Sequence, residues 1–159
     1  HPRDRRQRQM CIRDRVLADI ERLQSDMKED VAGYRLIGRR NVRDNNSWMH
    51  NHRRLVKGKD RCQLLMHPDD VAKEGWNEGM QVTITSRVGS ISAELMPSTE
   101  VMPGVISLPH GYGHGLEGTR SKVANSRAGV SCNDVTDEQF VDQLSGNAAV
   151  NGVPVRLSG

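Results

Sequence analysis

The stretch QVTITSRVGSISAEL, residues 81–95, decides the fold class, because it contains two alternating runs around one turn. In the first run Val82 and Ile84 alternate with polar residues, and the run from Ser90 to Leu95 alternates in the same way. A period of two residues is typical of a strand with one buried face. Between the runs, Val88-Gly89 is suited to a turn. The stretch therefore predicts a β-hairpin.

Further short strands flank this hairpin along the chain. Short apolar runs predict them at residues 34–37, 62–66, 105–108 and 153–157. A short helix is predicted after His67, because Pro68 and two acidic residues suit a first helical turn and Gly75 fits its end. Two long polar stretches, residues 38–61 and 109–132, are predicted to be mostly irregular. Together these elements predict a mainly β protein with short helices, built as a small barrel or sandwich.

Three segments are expected along the chain. Residues 1–15 are basic and lack an amphipathic period, which predicts a disordered or artefactual arm. Residues 16–33 are predicted to be a helical linker, with apolar residues three or four positions apart at Val16, Ile20, Leu23 and Met27. Residues 34–159 are expected to form the β domain. Since the chain begins with His1 and not with Met, it is also expected to be a fragment.

The positive charge is concentrated in one segment. The net charge is +3, but residues 35–61 hold nine basic residues against Asp44 and Asp60. The chain after residue 61 is acidic on balance, so the pattern indicates a local anion site more than a general polyanion-binding surface. No apolar run is long enough to predict a membrane-spanning helix, and no apolar core of a secretory signal is present near the start.

The cysteines and histidines predict no metal site. Three cysteines, Cys11, Cys62 and Cys132, are too scattered for a disulfide framework or an iron–sulfur site, and they fit a reducing compartment such as the cytoplasm. The pairs His50/His52 and His110/His114 lack the further ligands that zinc requires. The glycine-rich stretch at residues 111–115 lacks the GxGxxG spacing and the following helix of a Rossmann fingerprint.

The strongest candidate for ligand binding is the segment Asn45-Asn46-Ser47-Trp48-Met49-His50-Asn51, which follows Gly38-Arg39-Arg40. Two guanidinium groups suit phosphate, and the amide and hydroxyl groups suit a heterocycle. An alternative is a free-standing nucleic-acid-binding module, because seven basic residues of this region could neutralise phosphates: Arg39, Arg40, Arg43, Arg53, Arg54, Lys57 and Lys59. Only Trp48 offers a stacking aromatic in this segment.

Seven motifs in order carry a resemblance to a known family. They are residues 36–40 (LIGRR), 45–51 (NNSWMHN), 65–70 (LMHPDD), 85–89 (TSRVG), 102–111 (MPGVISLPHG), 129–134 (GVSCND), and 144–147 (LSGN) continuing to 152–155 (GVPV). In these motifs the chain resembles the C-terminal molybdopterin-dinucleotide-binding domain of the dimethyl sulfoxide reductase family, with formate-dehydrogenase-like molybdopterin oxidoreductases as the nearest relatives. The resemblance covers residues 34–157.

The resemblance implies a double-psi β-barrel that closes over one arm of a bis-(molybdopterin guanine dinucleotide) cofactor. By motif position it assigns twelve cofactor-binding residues: Gly38, Arg39, Arg40, Asn46, Ser47, Trp48, His50, Asn51, Pro109, His110, Gly111 and Asn133. One departure is visible, since the family's turn after the short helix carries Gly-Asp and this chain has Gly79-Met80. Losing that Asp predicts a weaker turn at this position.

The function implied is that of the cofactor-binding part of a molybdenum oxidoreductase, in which two-electron redox occurs at Mo. No residue of this chain is predicted to be catalytic, so the chain alone is not assigned an enzymatic activity. The Mo ligand and an Fe–S cluster are expected in N-terminal domains of the same enzyme, and a further expected partner is an electron-transfer subunit. A double-psi barrel with another role stays open, because fold does not settle function.

Overall fold

A computed structural model describes residues 2–27 and 33–159 of the chain. Its elements, in order, are α1 (Pro2–Asp26), β1 (Tyr34–Arg39), β2 (Gln63–Met66), α2 (Pro68–Glu74), β3 (Gln81–Thr85), β4 (Ser90–Pro97), β5 (Val105–Pro109), α3 (Lys122–Asn125), a 3₁₀ helix (Cys132–Val135) and β6 (Val153–Ser158). They fall into two compact units. One contains α1 and Val141–Ala149, and the other is formed by Gly33–Phe140 and Val150–Gly159.

The larger unit is a closed six-stranded barrel with the strand order β1-β5-β2-β4-β3-β6. The pairs β1/β5 and β2/β4 are parallel, and the other neighbouring strands are antiparallel. Closure pairs every strand on both sides, so the sheet has no free edge. The predicted mainly β architecture with short helices is therefore confirmed, and of the two forms predicted it is the barrel.

The hairpin predicted from residues 81–95 is the pair β3/β4. Val82 lies opposite Ala93 and Ile84 opposite Ile91, and all four side chains are buried in the core. On the outer face, the hydroxyl groups of Thr83 and Ser92 are hydrogen-bonded at 3.0 Å. The alternation in the sequence thus corresponds to an inner and an outer face of the barrel wall.

The turn at Gly79-Met80 is held by backbone hydrogen bonds. Gly79 donates its N–H to the carbonyl oxygen of Leu95, and Leu95 donates to the carbonyl oxygen of Met80, both at 2.8 Å. Met80 also packs, partly buried, against the core. These backbone contacts fix the turn to the end of β4 independently of the side chain that follows Gly79.

The smaller unit differs from the sequence prediction. Helix α1 runs through Pro2–Asp26, so residues 2–15 are helical where a disordered arm was expected. Arg, Gln and Ile tolerate helical geometry well, and no Gly or Pro interrupts the run after Pro2. The apolar stripe predicted at Val16, Ile20, Leu23 and Met27 is exposed, whereas Asp19 is buried and accepts a hydrogen bond from Arg22 Nε at 2.7 Å. The three-segment division of the chain stays a prediction.

No helix within residues 2–27 and 33–159 combines the length and the apolar composition needed to cross a membrane.

Candidate functional site

The two long polar stretches predicted at residues 38–61 and 109–132 leave the barrel side by side. Strands β1 and β5 are parallel neighbours, with Gly38 opposite Leu108 and Arg39 opposite Pro109. The carboxyl ends of parallel strands meet at one end of a barrel. The segments that begin at Arg40 and His110 therefore start next to each other, and the N–H of His110 donates to the carbonyl oxygen of Arg39 at 2.9 Å.

Two glycines allow these loops to touch. A Cβ atom at Gly38 would overlap the imidazole ring of His110, and one at Gly111 would overlap the backbone carbonyl of Asn46. Gly111 also has a φ of +92°, in the left-handed region that favours glycine. A larger residue at position 111 would meet backbone and push the two loops apart, whereas at position 38 it would displace the His110 side chain.

Arg39 is partly buried and bound to the barrel itself. Its Nη1 donates to the carbonyl oxygen of Ser107 on β5, and its Nη2 donates to those of Gln63 at 2.6 Å and Arg61 at 3.3 Å. Burial lowers the pKa of this guanidinium from its ordinary value. Each two-donor edge of a guanidinium includes Nη2, so a forked contact between Arg39 and a phosphate requires that existing bonds be given up.

Four other predicted residues form a polar surface, which we name the Arg40 face: Arg40, Asn46 and Trp48, which are exposed, and Ser47, which is half-buried. Arg40 is exposed and donates from Nη1 to Asn46 Oδ1 at 2.7 Å, which uses one of its five donors. Asn45 and Asn46 have φ angles of 43° and 63°, a left-handed conformation that asparagine adopts more readily than most residues. The Trp48 side chain is 82% exposed.

The other predicted cofactor-binding residues lie in packed or bonded positions, apart from Asn133. Asn51 Oδ1 accepts from the backbone N–H groups of Val123 and Ala124 at 3.1 and 3.3 Å, at the start of α3. Pro109 is fully buried. His110 Nδ1 lies 3.2 Å from Cys132 Sγ, and burial raises the pKa of that thiol. Asn133 follows Cys132 in the 3₁₀ helix and is exposed.

His50 is 5% exposed and belongs to a buried polar cluster. Its Nδ1 lies 2.8 Å from His114 Nε2, and its Nε2 lies 3.6 Å from Asp44 Oδ1 without a hydrogen-bond partner in the described part of the chain. Asp44 accepts from Arg61 Nη1 and from the Tyr112 hydroxyl, each at 3.2 Å. Burial, followed by the charge of Asp44, raises the pKa of Tyr112.

Several residues of this region were not predicted from the sequence. The histidines pair as His50 with His114, across 64 positions, and not with their neighbours in the sequence. Asn151 Oδ1 accepts from the N–H of Gly38 at 2.7 Å, so the segment before β6 also supports the end of β1. The Asn-Gly dipeptide at residues 151–152 is a turn signal that could have drawn attention to Asn151.

Comparisons with known proteins identify the larger unit. The model of the family described as the molydopterin dinucleotide binding domain matches residues 34–154. A chain of the tetrathionate reductase of Salmonella typhimurium is 28% identical over 121 residues, which cover 65% of this chain and 12% of the relative. The molybdopterin-containing subunit of the arsenate respiratory reductase of Chrysiogenes arsenatis is 30% identical over 113 residues, covering 68% and 13%.

Among solved structures, acetylene hydratase from Pelobacter acetylenicus has a similar fold. The TM-score is 0.64 at 19% identity, over 78% of this chain and 18% of the hydratase. This likeness agrees with the double-psi β-barrel expected from the resemblance. The chain spans about one eighth of the length of the two curated relatives. Neither the family model nor these relatives support a nucleic-acid-binding module. The chain belongs to the molydopterin dinucleotide binding domain family, as found in molybdopterin reductases of the dimethyl sulfoxide reductase family.

Proposed function

We propose that this domain holds a molybdopterin guanine dinucleotide against the Arg40 face, as one half of a bis-dinucleotide cofactor. The observation that carries the proposal is the position of this face at the barrel end where the parallel strands β1 and β5 both finish. Exposed cationic, amide and indole groups occur there together with the half-buried hydroxyl group of Ser47. Membership of the family supplies the class of ligand, a molybdopterin-type cofactor.

The chemistry of the donors fits such a ligand. A dinucleotide brings a pyrophosphate and two heterocycles, and Arg40 has four donors beyond its bond to Asn46. Trp48 is an aromatic surface exposed to solvent, on which a base or a pterin can stack. Arg39 fits this role less well than Arg40, because its Nη2 is used by carbonyl groups of the barrel.

The residues of this chain would act by binding and orientation. Arg40 would neutralise phosphate charge, Asn46 and Ser47 would hydrogen-bond to polar ring edges, and Trp48 would cover a ring face. His50, Asn51 and His110 would act by holding the loops in place, since their side chains already contact other parts of the barrel unit. When bound, the molybdenum cofactor supplies two-electron redox chemistry.

The activity of the whole enzyme is part of the same proposal. We infer an oxidoreductase, because two relatives of the domain are named as reductases of tetrathionate and arsenate. A formate-dehydrogenase-like activity, an Fe–S cluster in other domains and an electron-transfer subunit remain predictions from the resemblance. A reducing location such as the cytoplasm is consistent with Cys62 and Cys132 being free thiols.

Hydrogen exchange on the purified chain tests the site. Guanosine diphosphate carries the guanine and the pyrophosphate of the proposed ligand. We expect it to slow amide exchange in residues 40–51, and to do so less in Arg40→Gln. Arg53→Gln is the matched control, because Arg53 is an exposed arginine farther along the same loop.

A single-stranded oligonucleotide of unrelated sequence serves as the competing ligand, measured at physiological salt. Purely electrostatic binding is weakened there, so it should leave residues 40–51 unprotected. Equal protection by the oligonucleotide, or equal loss of protection in the Arg40 and Arg53 variants, would refute the assignment of a dinucleotide to the Arg40 face.

A further inference from the structure

A series of polar contacts links the loops at residues 40–51 and 110–115. It begins at Asp44, passes through the two ring nitrogens of His50, and reaches His114 Nε2. Gly111, on the same segment as His114, packs against the backbone of Asn46. The two loops therefore touch at two points, once through His50 and His114 and once through Asn46 and Gly111. His50 lies between Asp44 and His114.

His50 borders a small cavity. Its unpartnered Nε2 belongs to a ring that lines a cavity of about 20 Å³, roughly the volume of one water molecule. The charged and titratable groups around this ring are Asp44, Lys59, Asp60, Arg61, Tyr112, His114 and Arg127. A cavity of this size admits no nucleotide, so His50 acts on the ligand site through its neighbours.

His50 Nδ1 and His114 Nε2 are 2.8 Å apart, so one of the two rings donates a hydrogen bond to the other. Burial, and then the proximity of His50, lowers the pKa of His114, which favours its neutral ring. A neutral imidazole accepts at one nitrogen only, and His50 Nδ1 is the donor where that nitrogen of His114 is Nε2. On its other side, His50 Nε2 lies 3.6 Å from Asp44 Oδ1.

We propose that His50 is a positioning residue that locks the loops at residues 40–51 and 110–115 together, because its Nδ1 donates to His114 Nε2 while its Nε2 lies beside Asp44. The importance of this lock for cofactor binding rests on the function proposed above. The lock itself rests on the contacts of the apoprotein.

The proton positions have a spectroscopic signature. Nitrogen-15 NMR of the imidazole rings distinguishes nitrogen atoms that carry a proton from those that do not. In the full chain, without ligand, we expect a neutral His114 to be the less common tautomer with its proton on Nδ1, and His50 to carry a proton on Nδ1. A proton on His114 Nε2 in the neutral ring, or an Nδ1 of His50 without a proton, would overturn the proposal.

Exchange measurements on variants test the lock independently. His50→Ala should accelerate amide exchange about tenfold in both loops, because a hydrogen bond between them is lost. His50→Asn places an amide donor near the position of Nδ1 and should restore most of the protection. His52→Gln is the control, since His52 is exposed two positions away. Acceleration confined to the first loop, or no rescue by His50→Asn, would contradict a lock between the loops.

These outcomes are separable from those of the proposed function. The tautomers and the exchange rates are measured without nucleotide, so they hold or fail whether or not guanosine diphosphate binds. If the tautomers are as expected and guanosine diphosphate gives no protection, the lock stands and the proposed dinucleotide site fails. If the nucleotide protects residues 40–51 and His114 has the other tautomer, the site stands and the lock fails.

Discussion

Arg39 donates from Nη2 to the backbone carbonyl of Gln63 at 2.6 Å, although the strands of these two residues are not neighbours in the barrel. Strand β5 lies between β1 and β2, and Nη1 of the same guanidinium donates to Ser107 on that strand. One side chain therefore joins three consecutive strands at the end of the barrel from which the ligand loops leave. This gives Arg39 a structural role that any ligand contact would have to share.

Arg39→Lys should lower the free energy of unfolding by about 1.5–3 kcal/mol, the value of one hydrogen bond between a charged donor and a protein acceptor. A lysine ammonium carries its donors on one atom and cannot span carbonyl groups on β5 and β2 in the same way. Urea denaturation of the full chain measures the change. Arg53→Lys, on the exposed part of the loop, should unfold as the wild type does.

A different result would favour the role that the resemblance assigned to Arg39. If Arg39→Lys unfolds like the wild type but binds guanosine diphosphate more weakly, its guanidinium contacts phosphate and exchanges its carbonyl partners on binding. If both stability and binding are unchanged, neither role is correct.

The Arg40 face predicts the opposite combination of effects. Arg40→Glu should weaken the binding of guanosine diphosphate by one to two decades, because a charge-assisted hydrogen bond is worth roughly 1.5–3 kcal/mol. Since Arg40 is exposed, stability should change by no more than about 0.5 kcal/mol. Arg53→Glu makes the same change in net charge elsewhere on the loop. Equal weakening in both variants would show that only general charge matters.

Trp48 provides a separate measurement on the same face. Its indole is exposed, so a stacked guanine should quench its fluorescence, and Trp48→Ala should weaken binding by about 1–3 kcal/mol. Trp76, which packs partly buried against the core, is the internal reference and should keep its emission. Quenching of Trp76 with no change at Trp48 would move the nucleotide away from this face.

The parts of the fold that were predictable depend on neighbours in the sequence. The alternation of Val82 and Ile84 with polar residues predicts which side chains of β3 point into the barrel and which point out. Pro68 and Gly75 likewise predict where α2 begins and ends. The site depends on distant partners. A guanidinium fork suits a phosphate and a pair of carbonyl groups equally well, so the sequence could not say that Arg39 binds Ser107 and Gln63.

The histidines show the same limit. Proximity in the sequence pairs His50 with His52, whereas the parallel strands β1 and β5 bring the loop of His50 to that of His114. The spacing of the histidines along the chain does not indicate that His50 and His114 are in contact. The identity of the family could nevertheless be predicted, because seven short motifs in a fixed order are specific even when the contacts of each residue are unknown.

Gly111→Ala should separate the two loops. The substitution adds a Cβ that would overlap the carbonyl of Asn46, at a residue whose φ of +92° already disfavours alanine. Gly118 is a matched control, because its φ is +85° and a Cβ there would meet nothing within 4 Å. Each alanine bears a similar cost in backbone strain, about 1–2 kcal/mol.

The difference between the two variants therefore measures the contact between the loops. We expect Gly111→Ala to be less stable than Gly118→Ala by at least about 1 kcal/mol in urea denaturation, the lower end of the cost of overpacking. It should also accelerate amide exchange in residues 40–51, which Gly118→Ala should leave unchanged. Identical behaviour of the two variants would show that the loops do not depend on this close approach.

The stability of the barrel unit should depend on pH through His114. Burial, and then the proximity of His50, lowers the pKa of His114 below its ordinary value of about 6.5. The unfolded chain therefore binds a proton more readily than the folded one. The corresponding stabilisation is fully present above about pH 6.5, and it is lost as the pH falls through that value and through the lower pKa of the folded state.

The test is the urea concentration at the midpoint of unfolding, measured from about pH 7.5 to about pH 5. His114→Gln should make this midpoint depend less on pH, because the glutamine amide does not titrate. His52→Gln should leave the slope of the wild type unchanged, since His52 is exposed. If both variants keep the full slope, the acid sensitivity arises elsewhere, and His114 is not held neutral by its surroundings.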